Sequence, residues 1–221
     1  LGTGHHYYWI GAPAYWQWLG SIFSTLEIAP FFAMVVWAFY LVYRGGREHS
    51  NKAALLWSLG CPVLAFFGAG VWGFMHTLSS VNYYSHGTQV TAAHGHLAFF
   101  GAYVTLNLAI ITYAMPSLRG LQPYNQVLNM WSFWLMCSGM VFMTVTLTFA
   151  GVIQIHMQRV VGGYSFMDVQ DQLALFYWTR LGAGVVFLAG VALFVWAVFG
   201  PVREQLTARS IAADPDLAAA E

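Results

Sequence analysis

Thr91-Ala92-Ala93-His94-Gly95-His96-Leu97-Ala98-Phe99-Phe100-Gly101-Ala102-Tyr103 is an apolar helical stretch carrying two histidines one residue apart. Helical residues two apart lie about 200° apart around the axis, so the imidazoles of His94 and His96 leave on nearly opposite faces. They cannot comfortably share one metal. Each can hold a different cofactor, one on either side of the same helix. Ala92, Ala93, Gly95, Ala98, Gly101 and Ala102 keep that helix slender, and Phe99, Phe100 and Tyr103 offer aromatic walls. Small residues also serve ordinary helix packing, and a single histidine here would read as a side chain bonded to backbone or water. The opposed pair changes the balance, because histidine is costly inside a membrane.

That the stretch lies in a membrane follows from composition. Of 221 residues, 59% are hydrophobic and 7% charged, against about 25% charged in soluble domains. The chain reads as an all-α polytopic transmembrane bundle in a single domain. Each crossing needs about 20 apolar residues, and five segments supply them: Trp16 to Tyr43, Ala53 to His76, Thr88 to Ala114, Gln126 to Gln154 and Gln172 to Phe199. The organisation is then an outer loop over 1–14, five transmembrane helices within 15–202, and a cytoplasmic tail over 203–221. The start on Leu1-Gly2-Thr3-Gly4 shows no initiator Met or signal pattern and reads as the middle of a longer protein. No basic tract suggests nucleic acid. Cys61 and Cys137 lack CxxC partners and read as small core residues.

Charge orients the bundle. Arg44, Arg47, Lys52, Arg119, Arg203 and Arg209 fall on one side, which the positive-inside rule makes cytoplasmic. His5, His6, His76, His86, His94 and His156 then gather near the outer face, six of the eight histidines. That clustering implies a metal-rich outer layer.

Three further features bear on chemistry. Adjacent His5 and His6 lie in a glycine-rich loop, where a turn can converge both rings on one ion, although an HH pair alone is a weak signal. Glu27, about eight residues into the first span, is an expensive carboxylate expected to face a polar pathway or partner, unless it is held neutral by Ser24 or Thr25. Pro30 beside it should kink the helix. Arg159 on the outer side suits either haem propionates or Asp168 and Asp171. Met140 and Met143 read as packing.

The opposed histidines suggest two haems separated by one helix, since haem iron accepts a neutral imidazole axially. Gly4-His5-His6-Tyr7-Tyr8-Trp9-Ile10-Gly11, Ser24-Thr25-Leu26-Glu27 and the stretch from Thr91 to Tyr103 together resemble the catalytic large subunits of cytochrome c-dependent nitric oxide reductases, within the haem-copper oxidase superfamily. The resemblance covers essentially the whole chain, as the C-terminal half of a twelve-helix fold. It implies that His94 is the axial ligand of a high-spin haem b and His96 an axial ligand of a low-spin haem b. It implies that His5 and His6 ligate a non-haem iron, with Glu27 close by as a proton-delivering or carboxylate-holding group. The reaction implied is reduction of two NO to N2O and water. The partners implied are membrane lipid, a small cytochrome c-containing subunit and a soluble electron donor acting through it. The location implied is the bacterial inner membrane, with the metals toward the periplasm. A third histidine and a glutamate for the iron, and the second ligand of the low-spin haem, would lie on earlier helices, so this chain alone is expected to be inactive.

The nearest rival is an oxygen-reducing, cbb3-like oxidase with copper in place of the non-haem iron. Carboxylate ligation favours iron, and the first span carries Glu27 and no lysine, whereas the pumping oxidases most like mitochondrial ones use a lysine there. The cbb3-like type also lacks it. A transporter would need polar residues along a path crossing the bilayer, and the inner halves of the spans are almost purely apolar.

Overall fold

The computed structural model describes residues 2–45 and 49–200. Arg47, Arg203, Arg209 and the expected tail over 203–221 lie outside the described residues. Five helices are long and apolar enough to cross a membrane: Tyr15–Gly45, Lys52–Thr77, Gln89–Leu118, Gln126–Val161 and Ala174–Phe199. We call them the first to fifth spans. Among the described residues there is no strand.

The span starts follow from local hydrogen bonding. The Asn51 side chain accepts from the Ala54 amide, Thr88 from Val90, and Asn125 from Leu128. Each thus satisfies a donor that a helix start leaves orphaned. The first span is interrupted at Glu27, between helices Tyr15–Leu26 and Ile28–Gly45. Pro30 has no N–H for the Leu26 carbonyl, so the break falls in the turn before the proline, as the sequence predicts. Two short helices, Ser79–Ser85 and Phe166–Gln172, lie in the connections between the second and third and between the fourth and fifth spans. The sequence pattern alone reads both as loops and assigns Gln172 to the fifth span. Ser165 and Asp168 form a capping box on the second of them.

The fourth span is the centre of the bundle. Phe133, Met136, Cys137, Met140, Met143 and Leu147 are buried there against Trp57 and Leu64 of the second span and Ala93, Leu97 and Phe100 of the third. Met143 and Cys137 are therefore packing residues, as expected, and Met140 is buried among them. A polar tie runs through this core. Trp57 Nε1 donates to Asn129 Oδ1 at 2.7 Å, and Asn129 Nδ2 donates to Thr112 Oγ1 at 3.3 Å. Trp57, Asn129 and Thr112 are all fully buried, so the tie joins the second, fourth and third spans where no water competes.

The second and third spans meet backbone to backbone. A Cβ on Gly68 would lie 2.4 Å from the Ala98 nitrogen, and one on Gly101 would lie 2.6 Å from the Leu64 carbonyl carbon. Both glycines lie in π-helical segments, Phe66–Trp72 and Phe100–Val104. Such wide turns rotate the faces that follow them and recur at functional sites.

Candidate functional site

His94 is oriented by the second span. Its Nδ1 lies 2.9 Å from the Gly68 carbonyl oxygen. A carbonyl only accepts, so Nδ1 carries the hydrogen and Nε2 is left with its lone pair free for an electrophile. His96 is set the same way by its own helix, with Nδ1 2.7 Å from the Ala92 carbonyl oxygen. Each imidazole is therefore held as the tautomer that suits axial ligation through Nε2.

The two rings open into different spaces. His94 lines a cavity of about 610 Å³ together with His5, His6, Glu27 and Ser24. His96 lines a second, open cavity of about 570 Å³ together with Phe100, Val104, Met140 and Phe187. Gly95 and Phe99 border both. Both volumes fall within the usual range for sites holding organic cofactors. The sequence does not predict Met140 and Phe187 as cavity residues, because it does not say which face of the fourth or fifth span meets His96.

A flat, largely apolar macrocycle suits the lining. Ala69, Gly70, Gly73, Ala98 and Ala102 are small, and Phe31, Phe74 and Tyr103 supply apolar walls. A Cβ on Gly73 would stand 3.3 Å from His94 Cε1, crowding the imidazole edge.

His5 and His6 approach from the opposite wall. They lie in the 3-10 helix Gly2–Tyr7, with ring centroids 4.1 Å apart. The sequence reads this stretch as an open turn; the tight helix still brings the rings together. His5 Nδ1 lies 2.7 Å from Ser24 Oγ of the first span. Ser24, considered from sequence as a partner for Glu27, is thus engaged with His5. Thr25 donates to the Ser21 carbonyl oxygen at 2.6 Å. Glu27 lines the same cavity as the two histidines.

The 3-10 helix is pressed onto the first span at Gly4 and Gly20. A Cβ on Gly20 would lie 2.6 Å from the Gly4 carbonyl carbon and 2.9 Å from the His5 nitrogen. Tyr8 donates to the Thr77 carbonyl oxygen at 2.7 Å and contacts Ser21 Oγ at 2.8 Å. Burial raises its phenol above the ordinary 10.0, against a lowering by Ser21, so it remains a donor. Trp9 donates to Asn82 Oδ1 and stacks on His86 at 4.8 Å.

The six histidines expected near the outer face do not form one metal layer. His86 stacks on Trp9; burial, then the Arg159 and His76 charges, lower its pKa below 6.5. His76 lies behind His94, and His156 lines neither cavity. Arg159 also lines neither. Its guanidinium donates to the carbonyl oxygens of Tyr83 and His86, pinning the turn between the second and third spans. Asp168, the alternative partner considered for it, is engaged in the capping box with Ser165. Among the described residues, no three His, Cys, Asp or Glu side chains are grouped closely enough to hold a metal by themselves.

Residues 1–186 match the family model described as Cytochrome C and Quinol oxidase polypeptide I. The chain belongs to this family. Within it, the chain is 55% identical over 204 residues to a nitric oxide reductase subunit of Stutzerimonas stutzeri, covering 89% of this chain and 43% of that one. It is 27% identical over 228 residues to a cytochrome c oxidase subunit 1 homolog of Agrobacterium tumefaciens, covering 98% of this chain and 42% of that one. The chain thus spans less than half the length of these oxidase-family relatives. A heme-copper terminal oxidase dimer solved by cryo-EM shares the fold with a TM-score of 0.74 at 19% identity, over 91% of this chain and 40% of its counterpart.

Proposed function

We propose that this chain forms the C-terminal part of a nitric oxide reductase catalytic subunit, reducing two NO to N2O and water. The observation that carries the reading is the placement of His94 and His96 in two cavities on opposite sides of one helix, the first shared with His5, His6 and Glu27. In this reading His94 and His96 hold a high-spin and a low-spin haem b, and His5 and His6 contribute to a non-haem iron. When bound, these groups, held by His94, His96, His5 and His6, would supply the electron transfer that NO reduction needs.

The chain's own residues hold these groups and manage protons. The Gly68 and Ala92 carbonyls keep both axial histidines in the Nε2-ligating tautomer, and Ser24 orients His5. Glu27 offers a carboxylate at the cavity wall, placed to take and release protons near the His5–His6 pair. Similarity to the reductase chain at 55%, against 27% for the oxidase homolog, supports NO over oxygen as substrate. A hard carboxylate in the cavity also favours iron over copper.

The site faces the periplasm of the bacterial inner membrane, by the positive-inside argument, and electrons arrive through a small cytochrome c-containing subunit. The 221-residue chain expressed by itself is inactive and retains no stoichiometric bis-histidine haem, because the remaining ligands lie elsewhere in the complete subunit. The test is iron and copper content per haem b in the complete subunit purified from membranes. Three irons for two haems b without copper is the expected result. One copper, with iron only in the haems, overturns the assignment in favour of an oxygen-reducing oxidase.

A further inference from the structure

His76 is a buried histidine to which neither the haems nor the iron gives a task. It lies at the end of the second span, with only 5% of its surface exposed. Its ring stacks on that of His94, centroids 5.0 Å apart and planes 21° from parallel. Two hydrogen bonds hold His76 in place, and Thr91 backs its ring. Its Nδ1 donates to the Trp72 carbonyl oxygen at 2.7 Å, and its Nε2 lies 3.3 Å from Thr91 Oγ1, whose hydroxyl donates to the Ser85 carbonyl oxygen at 2.8 Å. Its own carbonyl oxygen accepts from Asn82 Nδ2 at 2.8 Å.

The bond from His94 Nδ1 to Gly68 fixes one edge of the His94 ring but leaves it free to rock about that bond. A flat, tethered ring lying against its face removes the rocking. We infer that His76 is a positioning residue: its anchored ring sets the plane of His94 and hence the direction in which Nε2 points into the larger cavity. This rests on the proposed role of His94 as an axial haem ligand. His76 does not border the cavity of His96, nor do the groups that tether it, so the effect is confined to one of the two haems.

Two volume-filling variants of the complete enzyme separate a positioning role from a purely structural one. His76→Leu fills the space without a flat face, and His76→Phe keeps the face. Resonance Raman of the ferrous enzyme reads the iron–imidazole vibration of the high-spin haem, and the visible spectrum of the low-spin haem serves as the internal reference. The expected result is a broadened or split iron–imidazole band in His76→Leu, a single wild-type-like band in His76→Phe, and an unchanged low-spin spectrum in both. A wild-type band in His76→Leu overturns the inference. So does a Phe variant as broad as the Leu variant, or equal disturbance of both haems. Wild-type enzyme lacking haem b would instead refute the parent reading, leaving the two failures distinct.

Discussion

Replacing Gly20 with alanine tests whether the His5–His6 loop is held in place by backbone contact with the first span. The added Cβ would lie 2.6 Å from the Gly4 carbonyl carbon and 2.8 Å from its oxygen, whereas ordinary contact begins at 3.4 Å. Both neighbours are backbone atoms, so no side chain can swing away. The loop must retreat by about 0.8 Å, more than the roughly 0.5 Å within which a metal constellation keeps its function. Overpacking of this kind costs about 1–3 kcal/mol, which corresponds to roughly 5–150-fold weaker binding if it falls wholly on the metal-bound state. The assay is non-haem iron per haem b in the purified complete enzyme, with the visible spectra of both haems alongside. Gly20→Ala should lose most of its non-haem iron and retain both haems. Gly182→Ala in the fifth span, where a Cβ meets nothing within 4 Å, should leave the metal content unchanged. Full iron occupancy and wild-type NO turnover in Gly20→Ala would show that the loop is positioned by something other than this contact.

Other outcomes follow from the same geometry. His96→Ala should abolish the low-spin haem spectrum while the five-coordinate high-spin signal persists, and His94→Ala should do the reverse; loss of both haems in either variant contradicts two independent cavities. Asn129→Ala leaves the buried Trp57 N–H without its acceptor, at a cost of about 1–3 kcal/mol. The thermal midpoint of the complete protein should fall, and an unchanged midpoint would mean the tie contributes nothing. The Asp168 carboxyl is held below its ordinary 3.8 by its bonds to the Ser165 side chain and backbone. A depressed carboxyl contributes stability above its unfolded pKa and loses it as pH falls through the folded value. Amide protection over 166–172 should therefore weaken only below about pH 4, and Asp168→Asn should flatten that dependence.

The membrane spans are legible in the sequence because length and hydropathy decide a crossing almost without tertiary information. The observed starts, from Tyr15 through Ala174, each fall within two residues of those expected. The break at Glu27 is legible too, since a proline's missing donor acts within one turn. What escapes the sequence has a common cause: it depends on which faces meet. Ser24 and Glu27 share one helical turn, and local reasoning offers Ser24 as one possible partner for Glu27; it does not foresee that the 3-10 helix brings His5 to Ser24. The sequence leaves Arg159 between haem propionates and the Asp168 and Asp171 carboxylates, and the structure gives its guanidinium two carbonyls of the turn after the second span. The fourth span runs to Val161, past the expected Gln154, because a π-helical segment over His156–Val161 carries the helix on. Hydropathy does not register that change of pitch.

The close backbone approaches clarify why the opposed histidines sit where they do. Gly68 meets Ala98 and Gly101 meets Leu64, both immediately beyond the His94–His96 pair. With a side chain at either glycine, the second and third spans would separate, and the Gly68 carbonyl would leave His94 Nδ1. That single carbonyl sets the tautomer of the ring that opens into the cavity with His5, His6 and Glu27. On the far face, the tautomer of His96 is set by Ala92, one turn back in its own helix. The two cavities therefore differ in what they require of the fold. The His96 ring is oriented by its helix alone, whereas the His94 face needs two spans at glycine-limited contact and a third element pressed against Gly20. A perturbation that loosens the bundle should disable the His94 side first. Progressive detergent destabilisation of the complete enzyme should thus remove non-haem iron and the high-spin signal before the low-spin haem. Loss in the opposite order would show that this hierarchy is wrong.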